Sequence, residues 1–135
     1  MNVMPTETNV VVVEDDPASA DVLQRRLQAN GMSVSVGRTG GDGLALIREL
    51  HPDLVLLDVG LPDTDGYDVC LQVKSDSATA DIPVIIATSQ VLDRAEEERI
   101  SNHAVAILSK ARIGDERGAD EIRRVVLAAG VPLPL

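Results

Sequence analysis

LVLLDVGLPDTDG, residues Leu54 to Gly66, decides the fold class. Leu54–Leu57 runs without polar alternation into Asp58, and then Gly60, Pro62 and the Asp65-Gly66 pair break the run. A strand with no alternation is one buried on both faces, as in a parallel sheet covered by helices on either side. A carboxylate at the end of such a strand needs solvent, a partner or a use, because burying an unpaired charge is costly.

Outward from that strand, strand-like and helix-like segments alternate. Val10–Val13 predicts a first strand, closed by Glu14-Asp15-Asp16-Pro17. These residues open a helix to about Asn30, with Pro17 in its first turn, Asp16 as a helix-start acid, and Ala20, Leu23 and Leu27 on one face. Ser33–Val36 is a short strand, and Gly40–Leu50 a helix with Leu44, Ile47 and Leu50 inward. Past Asp58, Tyr67–Lys74 is a helix burying Val69, Cys70 and Val73, and Pro83–Thr88 is a fourth strand. Val91–Ser101 is a helix made polar over most of its circumference by RAEEER. Ala104–Leu108 is a fifth strand, and Asp120–Ala129 a last helix with Ile122, Val125, Val126 and Ala129 facing in.

Five strands alternating with five helices predict an α/β fold: a parallel sheet with helices on both faces, joined by right-handed crossovers. Residues 1–8 read as a polar tail and 130–135 (GVPLPL) as a short Pro-containing one, leaving 9–129 as a single domain with no output domain after it.

Composition narrows the function. A net charge of −10 and the lack of a Lys/Arg stripe argue against direct nucleic-acid or anionic-lipid binding. Tyr67 is the only aromatic residue, so a base-stacking surface is excluded. No apolar run approaches the ~20 residues that span a bilayer, and the N-terminus lacks a secretory pattern. A single cysteine, Cys70, fits a reducing compartment, and a cytoplasmic location is expected. Cys70 reads as a small core residue, His51 as a capping or solvated residue, His103 as a loop residue without a partner, and Tyr67 as surface packing at a helix start.

Ligands of open parallel sheets bind beyond the carboxyl ends of the strands, near a topological switch point. Glu14, Asp15, Asp58, Thr88 and Lys110 all fall at such ends. Carboxylates gathered there repel unless a cation is present, and Mg²⁺ takes hard oxygen ligands of this kind, with a backbone carbonyl after Asp58 as a natural extra one. The alternative for Glu14-Asp15-Asp16 is a negative cluster at a helix N-terminus, and both readings stand on these residues alone. A carboxylate beside a metal can act as a nucleophile toward phosphorus, with the Thr88 hydroxyl and the Lys110 ammonium donating to phosphoryl oxygens.

VVVVEDD (residues 10–16), LLDVGLPDTDG (56–66), VIIATS (84–89) and AILSK (106–110) occur in the order, and at the spacing, that resemble the receiver domains of bacterial two-component response regulators. The resemblance covers roughly residues 9–129 and implies a flavodoxin-like (βα)5 fold with strand order 2-1-3-4-5. It implies Asp58 as the acceptor of a phosphoryl group from a phosphohistidine on a sensor histidine kinase or a phosphotransfer protein. It implies Mg²⁺ on Glu14, Asp15, Asp58 and the Gly60 carbonyl, with Thr88 and Lys110 as partners of the phosphoryl group. The protein would then be no metabolic enzyme. It would take part in its own phosphoryl transfer and autodephosphorylation, and would signal by binding a downstream protein.

Two positions depart from the family pattern. Ile107 stands where an aromatic residue is usual, and Ala111 follows Lys110 where proline is common, often after a cis bond. A cis bond before Ala costs ~2.5–4 kcal/mol against ~0.5–1 before Pro, so a trans Lys110–Ala111 bond is expected. Two alternatives remain: a degenerate receiver acting as a phosphorylation-independent scaffold, and an aspartate-nucleophile phosphohydrolase. The second wants an acid two positions after Asp58, where Gly60 stands.

Overall fold

The computed structural model describes residues 8–114, 117–131 and 133. Most of the expected N-terminal tail and part of the C-terminal one lie outside them. The five strands are β1 (Asn9–Val13), β2 (Ser33–Gly37), β3 (Leu54–Asp58), β4 (Val84–Thr88) and β5 (Ala106–Ser109). Between and after them come α1 (Pro17–Gln28), α2 (Gly40–Leu50), α3 (Gly66–Ser75), α4 (Arg94–Ser101) and α5 (Gly118–Ala128). All strand pairs are parallel, in the order β2-β1-β3-β4-β5. This is the doubly wound flavodoxin-like sheet expected from the sequence.

The unalternated β3 run has the cause inferred for it. Leu54 and Leu56 enter one core with Leu23 and Leu27 of α1 and Ile122, Val125 and Val126 of α5. Val55 and Leu57 enter the other, with Leu44 and Ile47 of α2, Val69, Cys70 and Val73 of α3, and Ile100 of α4. Each such Leu, Ile or Val contributes about 1.5–3 kcal/mol by leaving water.

Helix starts are capped by short acceptors. Asp16 accepts the Ser19 N–H at 3.0 Å with Pro17 in the first turn, and Thr39 accepts the Asp42 N–H at 3.0 Å. His51 ends α2 in the left-handed region (φ 46), a capping role.

Several boundaries and one face differ from the sequence reading, α5 among them, which starts at Gly118 rather than Asp120. Helix α4 starts at Arg94, not Val91, because Asp93 and Glu96 form a capping box that fixes its first turn. Strand β5 starts at Ala106, not Ala104, because the Ala104 N–H bonds the Ile100 carbonyl at the end of α4. Leu50, expected inward, is 45% exposed. Three-residue steps fall short of a full helical turn by about 60°, so Leu50 is rotated roughly 120° from Leu44, off the buried face. No cis peptide bond occurs among the described residues, so Lys110–Ala111 is trans.

Candidate functional site

The site is built on the carboxyl ends of β1, β3, β4 and β5, beside the point where the strand order reverses around β1. Glu14 and Asp15 follow β1, Asp58 ends β3, Thr88 ends β4, and Lys110 follows β5. Carboxylate oxygens of Glu14, Asp15 and Asp58 lie within 4.8 Å of one another. Lys110 Nζ donates to Glu14 Oε1 and stands 3.4 Å from Asp58 Oδ1. Four of the residues singled out in the sequence are thus brought together.

The cluster is electrostatically strained. Glu14 is fully buried, and its Oε2 has no hydrogen-bond partner among the described residues. Burial pushes its carboxyl up to about 7, with the neighbouring Asp58 pushing the same way and Lys110 partly offsetting both. An orphaned, dehydrated carboxylate oxygen facing two further carboxylates is the donor set that a hard divalent cation satisfies. The residues therefore fit Mg²⁺.

The remaining residues frame this cluster. Thr88 is 3% exposed, and its Oγ1 accepts the Gln90 N–H at 3.0 Å rather than bonding Asp58. Gly60 lies in the β3–α3 loop, in an isolated antiparallel bridge with Asp65. That loop is held tightly against the end of β3. Val59 N–H donates to Asp58 Oδ1 at 2.8 Å, and Gly66 N–H donates to the Val59 carbonyl at 2.8 Å. A Cβ on Gly66 would lie 1.8 Å from the Asp58 carbonyl oxygen, so only glycine can begin α3 here.

Two features were missed in the sequence. Asp63 accepts the Gly40 and Gly41 N–H groups at 2.7 and 3.0 Å, joining the β3–α3 loop to the start of α2. These two amides hold its carboxyl below the usual range. Its position in the turn after Pro62 was the available signal. The second corrects the reading of His103 as partnerless. Tyr67 Oη and His103 Nδ1 are 3.1 Å apart, with ring centroids at 5.8 Å, and the Arg99 guanidinium lies 4.1 Å above the Tyr67 ring. Tyr67 thus joins the start of α3 to the end of α4. The rest of the chain does not foreshadow this, because the partners are 36 positions apart. Cys70 is buried, as expected, and burial raises its thiol pKa.

Comparison with known proteins supplies the context. Residues 10–121 match the family model described as response regulator receiver domain. The chain is 39% identical over 87 residues to the DNA-binding dual master transcriptional regulator RpaA of Synechocystis, covering 63% of this chain and 36% of that one. It therefore spans about a third of that relative's length. It is 36% identical over 92 residues to the polar-differentiation response regulator DivK of Brucella ovis, covering 68% of this chain and 74% of DivK. Among solved structures it is similar to the bacteriophytochrome response regulator AtBRR, with 27% identity and a TM-score of 0.76 over 97% of this chain and 98% of that one.

Proposed function

Because the chain belongs to the response regulator receiver domain family, we propose that it is a phosphorylation-controlled signalling module whose phosphoacceptor is Asp58. The observation that carries this reading is the juxtaposition of Asp58 with Glu14, Asp15 and Lys110 at the strand ends. The unit proposed to act is residues 9–129.

In the proposed reaction an Asp58 carboxylate oxygen attacks the phosphorus of a phosphohistidine on a histidine kinase or phosphotransfer protein. The P–N bond breaks, an acyl phosphate forms on Asp58, and the histidine leaves as neutral imidazole after taking a proton. Glu14, Asp15, Asp58 and the Gly60 carbonyl would hold Mg²⁺, which supplies charge neutralisation for the phosphoryl oxygens and their attacker. Lys110 places a compact cation beside Asp58, ready to bond a phosphoryl oxygen once it releases Glu14. Thr88 exchanges its bond from Gln90 for one to the phosphoryl group. Attack by water on the acyl phosphate returns Asp58 and frees phosphate, ending the signal.

Output is proposed to run through protein–protein contact, with a downstream protein reading the phosphorylated state. No helix among the described residues is long and apolar enough to cross a membrane.

The test is intact-mass measurement after exposure to a small phosphodonor. One phosphoryl group should be gained by the wild type with Mg²⁺, and none by Asp58→Asn or in chelator. If histidine kinases and small donors all fail on a protein that binds Mg²⁺, a phosphorylation-independent scaffold replaces this reading.

A further inference from the structure

Lys110 is anchored in an unusual way for a side chain that must reach across two strands. It begins a 3-10 turn, Lys110–Arg112, that has no side-chain cap. The turn ends on a long bond, from Ile113 N–H to the Lys110 carbonyl at 3.3 Å. Ala111, Arg112 and Gly114 are exposed, and a Cβ on Gly114 would meet nothing within 4 Å. A hollow of about 200 Å³, lined by Ala18, Ser19 and Val22 of α1, separates the turn from the helix beside it.

The fixed point of this loop is Ile113. Its side chain is 2% exposed, in the core under α1 and α5, and its carbonyl accepts the Arg26 Nε–H at 3.1 Å. Gly118 completes the joint. A Cβ there would lie 2.1 Å from the Ile113 carbonyl oxygen and 2.8 Å from Arg26 Nε, so the first residue of α5 has to be bare. Asn30, in the turn just past the end of α1, donates from Nδ2 to the carbonyls of Arg26 and Ala119, each at 3.0 Å. Arg26 of α1 and Asn30 just past its end therefore hold the loop after Lys110 and the start of α5.

We infer that Arg26 is a positioning residue for Lys110. By fixing the Ile113 carbonyl it holds the end of the turn that Lys110 begins, and so sets where the ammonium stands between Glu14 and Asp58. The inference rests on the phosphoacceptor reading of Asp58. Arginine suits the role because its guanidinium is always charged, planar and pre-organised, and a charged donor bonds a carbonyl more strongly than a neutral one. A lysine keeps the charge but not the fork.

The test is the rate of phosphorylation by phosphoramidate at saturating Mg²⁺, for wild type, Arg26→Met, Arg26→Lys, Lys110→Ala and the Arg26→Met/Lys110→Ala double variant. Arg26→Met should be slower by roughly tenfold or more, as for a misplaced reacting group. Its Mg²⁺ affinity should be unchanged, because Glu14, Asp15 and Asp58 stand on other strands. Arg26→Lys should fall between the two. In the Lys110→Ala background Arg26→Met should cost nothing further, since the group it positions is gone. Wild-type speed in Arg26→Met, or an equal loss with and without Lys110, overturns the inference. If Arg26→Met does not fold, wild-type speed in Arg26→Lys overturns it instead. A wild type that takes no phosphoryl group from phosphoramidate or from histidine kinases overturns the phosphoacceptor reading and this inference with it, whereas a phosphorylated wild type matched by Arg26→Met overturns the inference alone.

Discussion

Lys110 Nζ stands 3.4 Å from Asp58 Oδ1 although the strands that deliver them, β5 and β3, are not neighbours. The side chain passes the ends of β4 and β3 and continues to Glu14 after the end of β1, three strands from its own attachment. One cation thus serves a buried carboxylate and a half-buried one, and Glu14 still keeps an oxygen without a partner among the described residues. The strand ends hold more negative charge than the protein itself neutralises.

That excess predicts a pH dependence. The Glu14 carboxyl is raised from 4.5 to about 7, chiefly by burial, so the folded state binds this proton more tightly than the unfolded chain. The resulting stability is fully present below pH 4.5 and is lost as pH rises through about 7. The shift corresponds to a loss on the order of 3 kcal/mol. We predict that metal-free protein is less stable to urea at about pH 8 than at about pH 5, and that Mg²⁺ restores stability at the higher pH. Glu14→Gln should flatten the dependence. Equal metal-free stability at both pH values would contradict the assignment.

Gly66→Ala is predicted to destabilise by about 1–3 kcal/mol, the usual cost of overpacking. Its Cβ would meet a backbone oxygen, that of Asp58 at 1.8 Å, which cannot swing aside as a flexible side chain does. Urea denaturation measures the loss. A variant as stable as wild type would show that the β3–α3 joint is looser than described.

Tyr67→Phe removes the hydroxyl that meets His103 and keeps the ring beneath Arg99. A loss of about 0.5–1.5 kcal/mol is expected, that of one ordinary hydrogen bond. Tyr67→Ala should cost more, since ring burial and the cation contact go as well. As the only Tyr in a chain without Trp or Phe, Tyr67 gives the protein a fluorescence signal from this contact alone. Indistinguishable denaturation midpoints for Tyr67→Phe and wild type would remove the energetic role of the His103 bond.

Helix α4 presents Glu97, Glu98 and Arg94 to solvent and buries only Ile100, so few apolar contacts hold it. Half-buried Ile107 packs against the same core and can repack where a ring would swing. Amide exchange in α4 and β5 is therefore predicted to change when Asp58 carries a phosphoryl mimic. Identical exchange with and without the mimic would exclude this region as the route of output.

Much of the fold was legible because burial on both faces leaves an unmistakable pattern, as in Leu54–Leu57, and because Gly40–Leu50 carries its own boundary residues. The start of α4 was legible too, in Asp93 and Glu96, but the apolar Val91 and Leu92 ahead of them drew the helix too long. Val91 is 98% exposed. The site acids could be named because each ends or follows a strand. Their electrostatics could not, since the orphaned Glu14 Oε2 depends on where Lys110 and Asp58 point. Asp63 had only its place in the turn after Pro62 as a signal, while Arg26 and His103 act through contacts that cross 87 and 36 positions, which no local spacing encodes.

The most direct measurement is the location of the phosphoryl group. After phosphorylation with Mg²⁺, borohydride reduces an acyl phosphate to the alcohol, which peptide mass mapping then locates. Homoserine is expected at position 58, with aspartate unchanged at positions 15, 16 and 63. Reduction at another carboxylate, or none in protein shown to carry a phosphoryl group, would contradict the assignment of Asp58.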